Sequence, residues 1–550
     1  MRGYLKLAAP LIALSLLLAA CGGDDGGTGD GDAAEGATMA FGTSADPVVL
    51  DGALVSDGES LRAIDQMFEG LVTLAPGGTE VVAGLASDWE ISEDAMTYTF
   101  TLEEGVTFHD GEPFNADAVC FNFDRWFNFP KQFQGADATY YYQTVFGGFA
   151  GSEDALYESC EATDESTVTL QLTRPSASLL GALALTNFTF GSPAALEEFG
   201  ADEGKINADS LFQATGDYGT EHPTGTGPFM FKEWDRGEQL VMERNPEYWG
   251  EFEGNIETLI FRPIADGAAR LQALQTGEIQ GYDLVDPQDY ETIEGSEDLQ
   301  LLERPAFNVA YVGFNRAVDP LDDLAVRQAI AHAINRQEIV DAFYAGQGVV
   351  AKEFMPPELF GYADDVTEYE FDPDKAKQIL QDAGYTLPIE IEFAYPTDVS
   401  RPYMPDPQAN AEAMAQDLED CCFKVNLVSD TWSPDYLAKA DTGKYAVRLL
   451  GWTGDFGDPD NFIGTFFQTP QKAWGFENEE IFSCLNEAEI ETDTEARTAM
   501  YEECNRLIMD FLPGVPYAHT EPALAFTANV SGYQPSPVSL EPFSLVTVES

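Results

Sequence analysis

Tyr98-Thr99-Phe100-Thr101-Leu102-Glu103-Glu104-Gly105-Val106 runs into Phe108-His109-Asp110-Gly111 and then Phe114-Asn115-Ala116-Asp117-Ala118-Val119. Tyr98, Phe100 and Leu102 alternate with threonines, the period of a strand with one buried face. Just upstream, Glu90-Ile91-Ser92 is strand-like, and Glu93-Asp94-Ala95 makes the turn of a hairpin. Residues 167–173 (TVTLQLT) alternate strictly, and 256–264 and 307–315 read as further strands. Helices interrupt them at 265–276, where Ala269, Leu271 and Leu274 are candidate buried positions, and at 322–344, where the 3.6 spacing breaks only in the middle. Two more are expected at 374–383, between Asp372-Pro373 and Gly384, and at 408–420. Strands and helices mix throughout, so the class is α/β, and no internal repeat is visible.

The chain has 550 residues, with 27 Lys+Arg against 96 Asp+Glu and a formal net charge of −69. Such a chain repels phosphate backbones and anionic lipid headgroups, which argues against nucleic-acid binding and against a basic membrane patch. Charge alone does not mean disorder, because 44% of residues are hydrophobic and 12% aromatic. The length exceeds what one core serves, so two or more lobes are expected. No GxSxG elbow, HExxH helix or His cluster points to a hydrolase, and no carboxylate pair stands out among the 96 acids.

The start reads as an export signal. Arg2 and Lys6 precede an apolar run at 7–18, too short to span a membrane. Leu18-Ala19-Ala20-Cys21 resembles a bacterial lipobox, which implies cleavage before Cys21 and lipidation of its thiol. Residues 21–37 then form an acidic, glycine-rich tether without large apolar side chains. The expected location is the extracytoplasmic face of the cell membrane, at the cell surface or in the periplasm, held by the lipid.

Six further cysteines fit an oxidising compartment. Residues 478–491 and 495–511 read as two helices around Thr492-Asp493-Thr494, which sets Cys484 level with Cys504. By elimination Cys120 pairs with Cys160, leaving Cys421 and Cys422 as neighbours. Zinc is the competing reading, but no CxxC or HxxxH spacing exists. No metal or cofactor is expected.

The opening stretch, taken with later segments, resembles the extracellular solute-binding proteins that serve dipeptide, oligopeptide and nickel ABC importers. Pro223-Thr224-Gly225-Thr226-Gly227-Pro228-Phe229, Asn245-Pro246-Glu247-Tyr248-Trp249-Gly250 and Leu271-Gln272-Ala273-Leu274-Gln275-Thr276-Gly277-Glu278 fit the same template. So does Pro320-Leu321-Asp322-Asp323 with Val326-Arg327-Gln328-Ala329-Ile330. All read as scaffold: Gly225 and Gly227 as turn residues with unusual backbone angles, Arg327 as a surface ion-pair partner. The resemblance implies a two-lobed periplasmic-binding-protein fold with an inserted domain and ligand enclosed by hinge closure. Carried onto this chain, the first lobe takes 38–70, 219–300 and 520–550, the inserted domain 71–218, and the second lobe 301–519. A non-enzymatic monomer working with importer permease subunits is expected.

Two loops are candidates for the ligand. Val399-Ser400-Arg401-Pro402-Tyr403-Met404-Pro405-Asp406-Pro407 follows a strand and is stiffened by three prolines. An Arg there offers a fixed fork to a carboxylate. Gly451-Trp452-Thr453-Gly454-Asp455-Phe456-Gly457-Asp458 follows another strand and offers a carboxylate among glycines. Both are similar to loops of the dipeptide-binding branch of the family. That similarity implies that Arg401 takes a peptide carboxylate, with Tyr403 supporting it, and Asp455 the ammonium, with Trp452 and Thr453 walling the pocket. The chain departs from that branch at Phe456 and in the longer lead-in at 395–400. Other readings stand: Arg401 could pair with Asp398 or Asp406, and Asp455, Asp458 and Asp460 could form a solvated turn or a calcium loop, though not with EF-hand spacing. A nickel chelate, haem or a sugar is the alternative ligand, and a secreted hydrolase the alternative class.

Lys supplies only 11 of the basic residues. We infer a surface suited to saline surroundings, where salt screens repulsion among acids. The melting temperature is then expected to rise between low and molar salt, and a flat or falling profile counts against the idea.

Overall fold

The computed structural model describes residues 36–207, 212–539 and 541–549. The expected leader, Cys21 and nearly all of the tether lie outside them. Among the described residues, no helix is long and apolar enough to cross a membrane.

Three larger sheets organise the chain. A seven-stranded mixed sheet runs in the order Phe229–Asp235, Gln239–Arg244, Ile256–Pro263, Ala37–Thr43, Gly281–Tyr282, Ala523–Thr527, Leu299–Glu303. A six-stranded sheet runs Gly348–Val349, Gly514–Thr520, Asn308–Phe314, Val447–Thr453, Ile389–Thr397, Phe423–Thr431. A four-stranded antiparallel sheet runs Ala86–Ile91, Thr97–Leu102, Thr167–Leu172, Tyr157–Ala162. The last contains the opening hairpin, with Tyr98, Phe100 and Leu102 buried as their alternation requires and Ala95 at the turn in the left-handed region (φ 49°). Two core clusters follow this division: one spans the first and third sheets, the other the six-stranded sheet and its helices.

The helices begin where short acceptors cap free backbone N–H groups. Asp372 accepts from Lys375 N with Pro373 at the first position of Pro373–Asp382, and Asp406 accepts from Ala409 N at the start of Pro407–Cys421. The long helix expected at 322–344 is two helices, Leu324–Ala333 and Arg336–Phe343. Ile334 turns extended, and Asn335 caps the second helix by accepting from Glu338 N, which stops the first.

Two scaffold expectations need correction. Arg327 is not a surface ion-pair partner: its buried guanidinium donates to the carbonyls of Leu321, Asp322, Phe511 and Leu512 at 2.8–2.9 Å. It thereby supplies hydrogen bonds to helix-end and loop acceptors. Gly225 and Gly227 do not adopt the left-handed region. They are needed for space, since a Cβ on Gly225 would sit 2.2 Å from Met67 O and one on Gly227 2.6 Å from Met67 C.

Disulfides join Cys120 to Cys160 and Cys484 to Cys504, the latter across helices Glu479–Glu489 and Thr494–Phe511. Cys421 and Cys422 are joined to each other.

The chain passes between the two large sheets twice, at 304–307 and at 521–522. The passages touch: Arg304 N donates to Pro522 O at 2.9 Å. A buried ion cluster anchors them. Arg304 pairs with Asp283 and Glu541, and Arg62 pairs with the same two carboxylates and with Glu59. The two guanidinium groups hold Asp283 far below the usual carboxylate range against the pull of burial.

Glu353 is a buried carboxyl of the opposite kind. It is fully enclosed, Ala363 N donates to Oε1, and Oε2 has no partner among the described residues. Burial pushes it up to about 9. Because this folded-state value exceeds the unfolded one, its contribution is fully present below about pH 4.5 and is lost as pH rises toward 9. Glu353→Gln is therefore expected to raise stability at pH 8 by roughly 1–4 kcal/mol and to change it little at pH 4.5. Paired thermal melts at the two pH values check this, and equal shifts at both would refute it.

Candidate functional site

Strand Ile389–Thr397 pairs in parallel with Phe423–Thr431 on one side and with Val447–Thr453 on the other. Parallel neighbours end at the same edge, so the segments after all three emerge together. In open α/β sheets that edge is where ligands bind.

The Arg401 loop follows the first strand. Arg401 and Met404 exchange backbone hydrogen bonds of 3.1 and 2.9 Å, closing a tight turn. The turn is fastened from below: Thr520 Oγ1 donates to Pro402 O (2.7 Å), and Tyr344 OH donates to Tyr403 O (3.1 Å). Tyr403 is buried, and its ring packs against Gly451 so closely that a Cβ there would lie 2.3 Å from it. The two candidate loops therefore touch through Tyr403. Burial pushes the Tyr403 hydroxyl up to about 12, with Arg401 acting in the opposite sense.

Arg401 is half-buried and forms no ion pair among the described residues. Its Nε is enclosed without a hydrogen-bond partner, and its guanidinium lies 4.4 Å over the Trp432 ring. The alternative partners are engaged elsewhere. Asp406 caps its helix, and Asp398 Oδ1 accepts from Trp432 N at 3.1 Å, which fixes the ring beneath Arg401. Trp432 was not singled out from the sequence. Its signal is an aromatic directly after a strand, legible only once that strand is known to neighbour the Arg loop.

The Asp455 loop follows Val447–Thr453. Thr453 is half-buried and pairs with Asn308 in the ladder, and Trp452 meets Phe466 edge-on at 6.0 Å. The Asp455 carboxylate accepts from Asn461 Nδ2 (3.0 Å) and from Tyr141 OH (2.8 Å). Burial raises it, and these two donors only partly offset the rise. No cation lies within ion-pair distance of it among the described residues. Asp458, by contrast, is clamped by both terminal nitrogens of Arg497 at 2.5 and 3.0 Å. Among the described residues, no three His, Cys, Asp or Glu side chains are grouped to hold a metal.

Tyr141 was also missed. It comes from helix Ala136–Phe146, 314 residues away in the chain. Phe456 is buried in the core cluster of the other sheets, with its ring against Gly181.

The two charged candidates line different cavities. Arg401 borders one that also touches Tyr290, Thr520 and Pro522 at the passage between the sheets. Asp455 and Trp452 border the other, with Tyr140, Tyr141 and Leu179. Tyr403 and Thr453, expected in the site, line neither of these two cavities.

Residues 80–474 match the family model described as bacterial extracellular solute-binding proteins, family 5 Middle. The dipeptide-binding protein of Escherichia coli K12 is 31% identical over 560 residues, covering 100% of this chain and 98% of the relative. The heme-binding protein A of Haemophilus influenzae is 30% identical, covering 99% of each. The crystal structure of a dipeptide binding protein from Pseudoalteromonas sp. SM9913 in complex with Met-Leu superposes with a TM-score of 0.77 at 27% identity, over 93% of this chain and 100% of that one.

Proposed function

Since the chain belongs to family 5 of the bacterial extracellular solute-binding proteins, and is thus a two-lobed transport receptor rather than an enzyme, we propose that its solute is a dipeptide or short peptide. It delivers that peptide to the permease of an ABC importer. One observation carries the reading. Arg401 and Asp455, which form no ion pair among the described residues, stand in the loops that follow neighbouring parallel strands. A free peptide is a zwitterion, and groups of opposite sign at a set separation neutralise both its ends. Arg401 takes the carboxylate, using a fork already oriented by Trp432 and by the fastened turn, so little freedom is lost on binding. Asp455 takes the ammonium, exchanging the Tyr141 hydroxyl for a charge-assisted partner. Lobe closure about the two passages joins the two cavities around the ligand.

We adopt the division into 38–70, 219–300 and 520–550, with 71–218 inserted and 301–519 as the second lobe. What supports it is the distribution of the three sheets, although strand Leu299–Glu303 runs past 300 within the first. The Cys21 anchor rests on Leu18-Ala19-Ala20-Cys21 alone.

Titration calorimetry with a panel of di- and tripeptides tests the function. Arg401→Ala and Asp455→Ala are each expected to cost roughly 2–5 kcal/mol of affinity, because each leaves the opposite charge of the ligand unpaired in a dry site. Retained affinity in both variants removes these residues from the site. Tight binding of only a nickel chelate, haem or a sugar, none of which gives Asp455 an ammonium, overturns the peptide reading. For the anchor, Cys21→Ala is expected to move the protein from the membrane to the soluble extracytoplasmic fraction, and unchanged partitioning would exclude lipidation there.

A further inference from the structure

The cavity beside Asp455 contains two more carboxylates that recognition of the peptide ends does not use. Asp460 follows Asp458-Pro459, and Glu489 ends helix Glu479–Glu489. Both border the cavity with Tyr140, Tyr141 and Trp452, and among the described residues no Lys or Arg borders it. Asp460 Oδ1 is shut off from solvent and has no hydrogen-bond donor. Glu489 has one, Gln468 Nε2 at 2.6 Å. The two nearby cations act on this pair only from beyond ion-pair distance. Arg497 clamps Asp458 and donates to Ala488 O, and Arg174 donates to Asp154 O. Burial, followed by repulsion from each other and from Asp458, raises Asp460, with Arg497 opposing. Burial raises Glu489 too, against Gln468, Arg174 and Arg497. The side chains are not grouped to hold a metal ion. Carboxylates among aromatic rings in a partly buried pocket suit an organic cation on an apolar stem.

Resting on the peptide reading above, we propose that this cavity receives the side chain of the ligand's N-terminal residue and selects a cationic one, of the lysine or arginine class. The geometry follows from covalent chemistry. Asp455 holds the α-ammonium in this same cavity, and the first side chain leaves the carbon that bears that ammonium. It therefore enters the space bordered by Asp460 and Glu489, which form no ion pair among the described residues. The Tyr140, Tyr141 and Trp452 rings line its methylene stem.

The test is calorimetry on the full chain with Lys-Ala, norleucine-Ala and Ala-Ala. Norleucine keeps the stem and removes the charge. Lys-Ala is expected to bind at least about tenfold more tightly than norleucine-Ala. Asp460→Asn and Glu489→Gln are each expected to shrink that ratio severalfold. A ratio at or below one in the wild-type protein overturns the inference while leaving the peptide reading intact. A lysine preference that persists at full size in both folded variants overturns the assignment to Asp460 and Glu489. Failure of every dipeptide to bind overturns the peptide reading, and this inference with it. If a variant does not fold, the wild-type ratio still decides.

Discussion

Parallel pairing of Ile389–Thr397 with both Phe423–Thr431 and Val447–Thr453 is the constraint on which the site depends. A hydrogen-bonded ladder fixes the spacing of strands at about 4.8 Å, so the three segments leaving the sheet have no freedom to drift apart. Arg401, Trp432 and Asp455 are brought to one edge by backbone geometry before any of their side chains interact. The remaining precision comes from packing. Tyr403 occupies the place a side chain at 451 would take, and Asp398 holds the backbone of Trp432. These contacts convert a shared edge into a pair of charges with defined positions.

The electrostatics of the site run against those of the whole molecule. Acids outnumber bases heavily, yet many basic residues are buried in structural roles: Arg62, Arg125, Arg304, Arg327, Arg448 and Arg497 are all enclosed. Cations are thus spent on holding the scaffold, and few remain to satisfy acids that face a cavity. Asp455, Asp460 and Glu489 share that shortage. The excess negative charge at large promotes solubility. The local excess is different in kind, because where water is partly excluded a carboxylate is neutralised either by taking up a proton, as the raised values of these three show, or by a cationic group.

Local patterns were legible where one element carried its own signal. The alternation at Tyr98, Phe100 and Leu102 is a buried strand face, and Asp372-Pro373 starts a helix. The break at Asn335 was blurred because a helix capped directly after another keeps the 3.6 spacing nearly continuous. Arg401 and Asp455 could be picked out because each follows a strand in a loop of distinctive composition. Tyr141, Trp432 and Glu489 could not, since what makes them relevant is proximity across long stretches of chain. Nor does sequence reveal that Arg327 is buried or that Gly225 is crowded by Met67, as both depend on what the tertiary fold lays against them.

The ion cluster at the two passages has a consequence for motion. Arg304 belongs to one passage and holds the other through Pro522, while Asp283 and Glu541 grip it from the first sheet. One end of each connecting segment is therefore clamped, and rotation is confined to the few residues beyond it. Because paired guanidinium groups keep Asp283 ionised far into acid, this fulcrum does not soften when the outer carboxylates gain or lose protons. The acidic coat answers to its surroundings, and the axle on which the lobes turn does not.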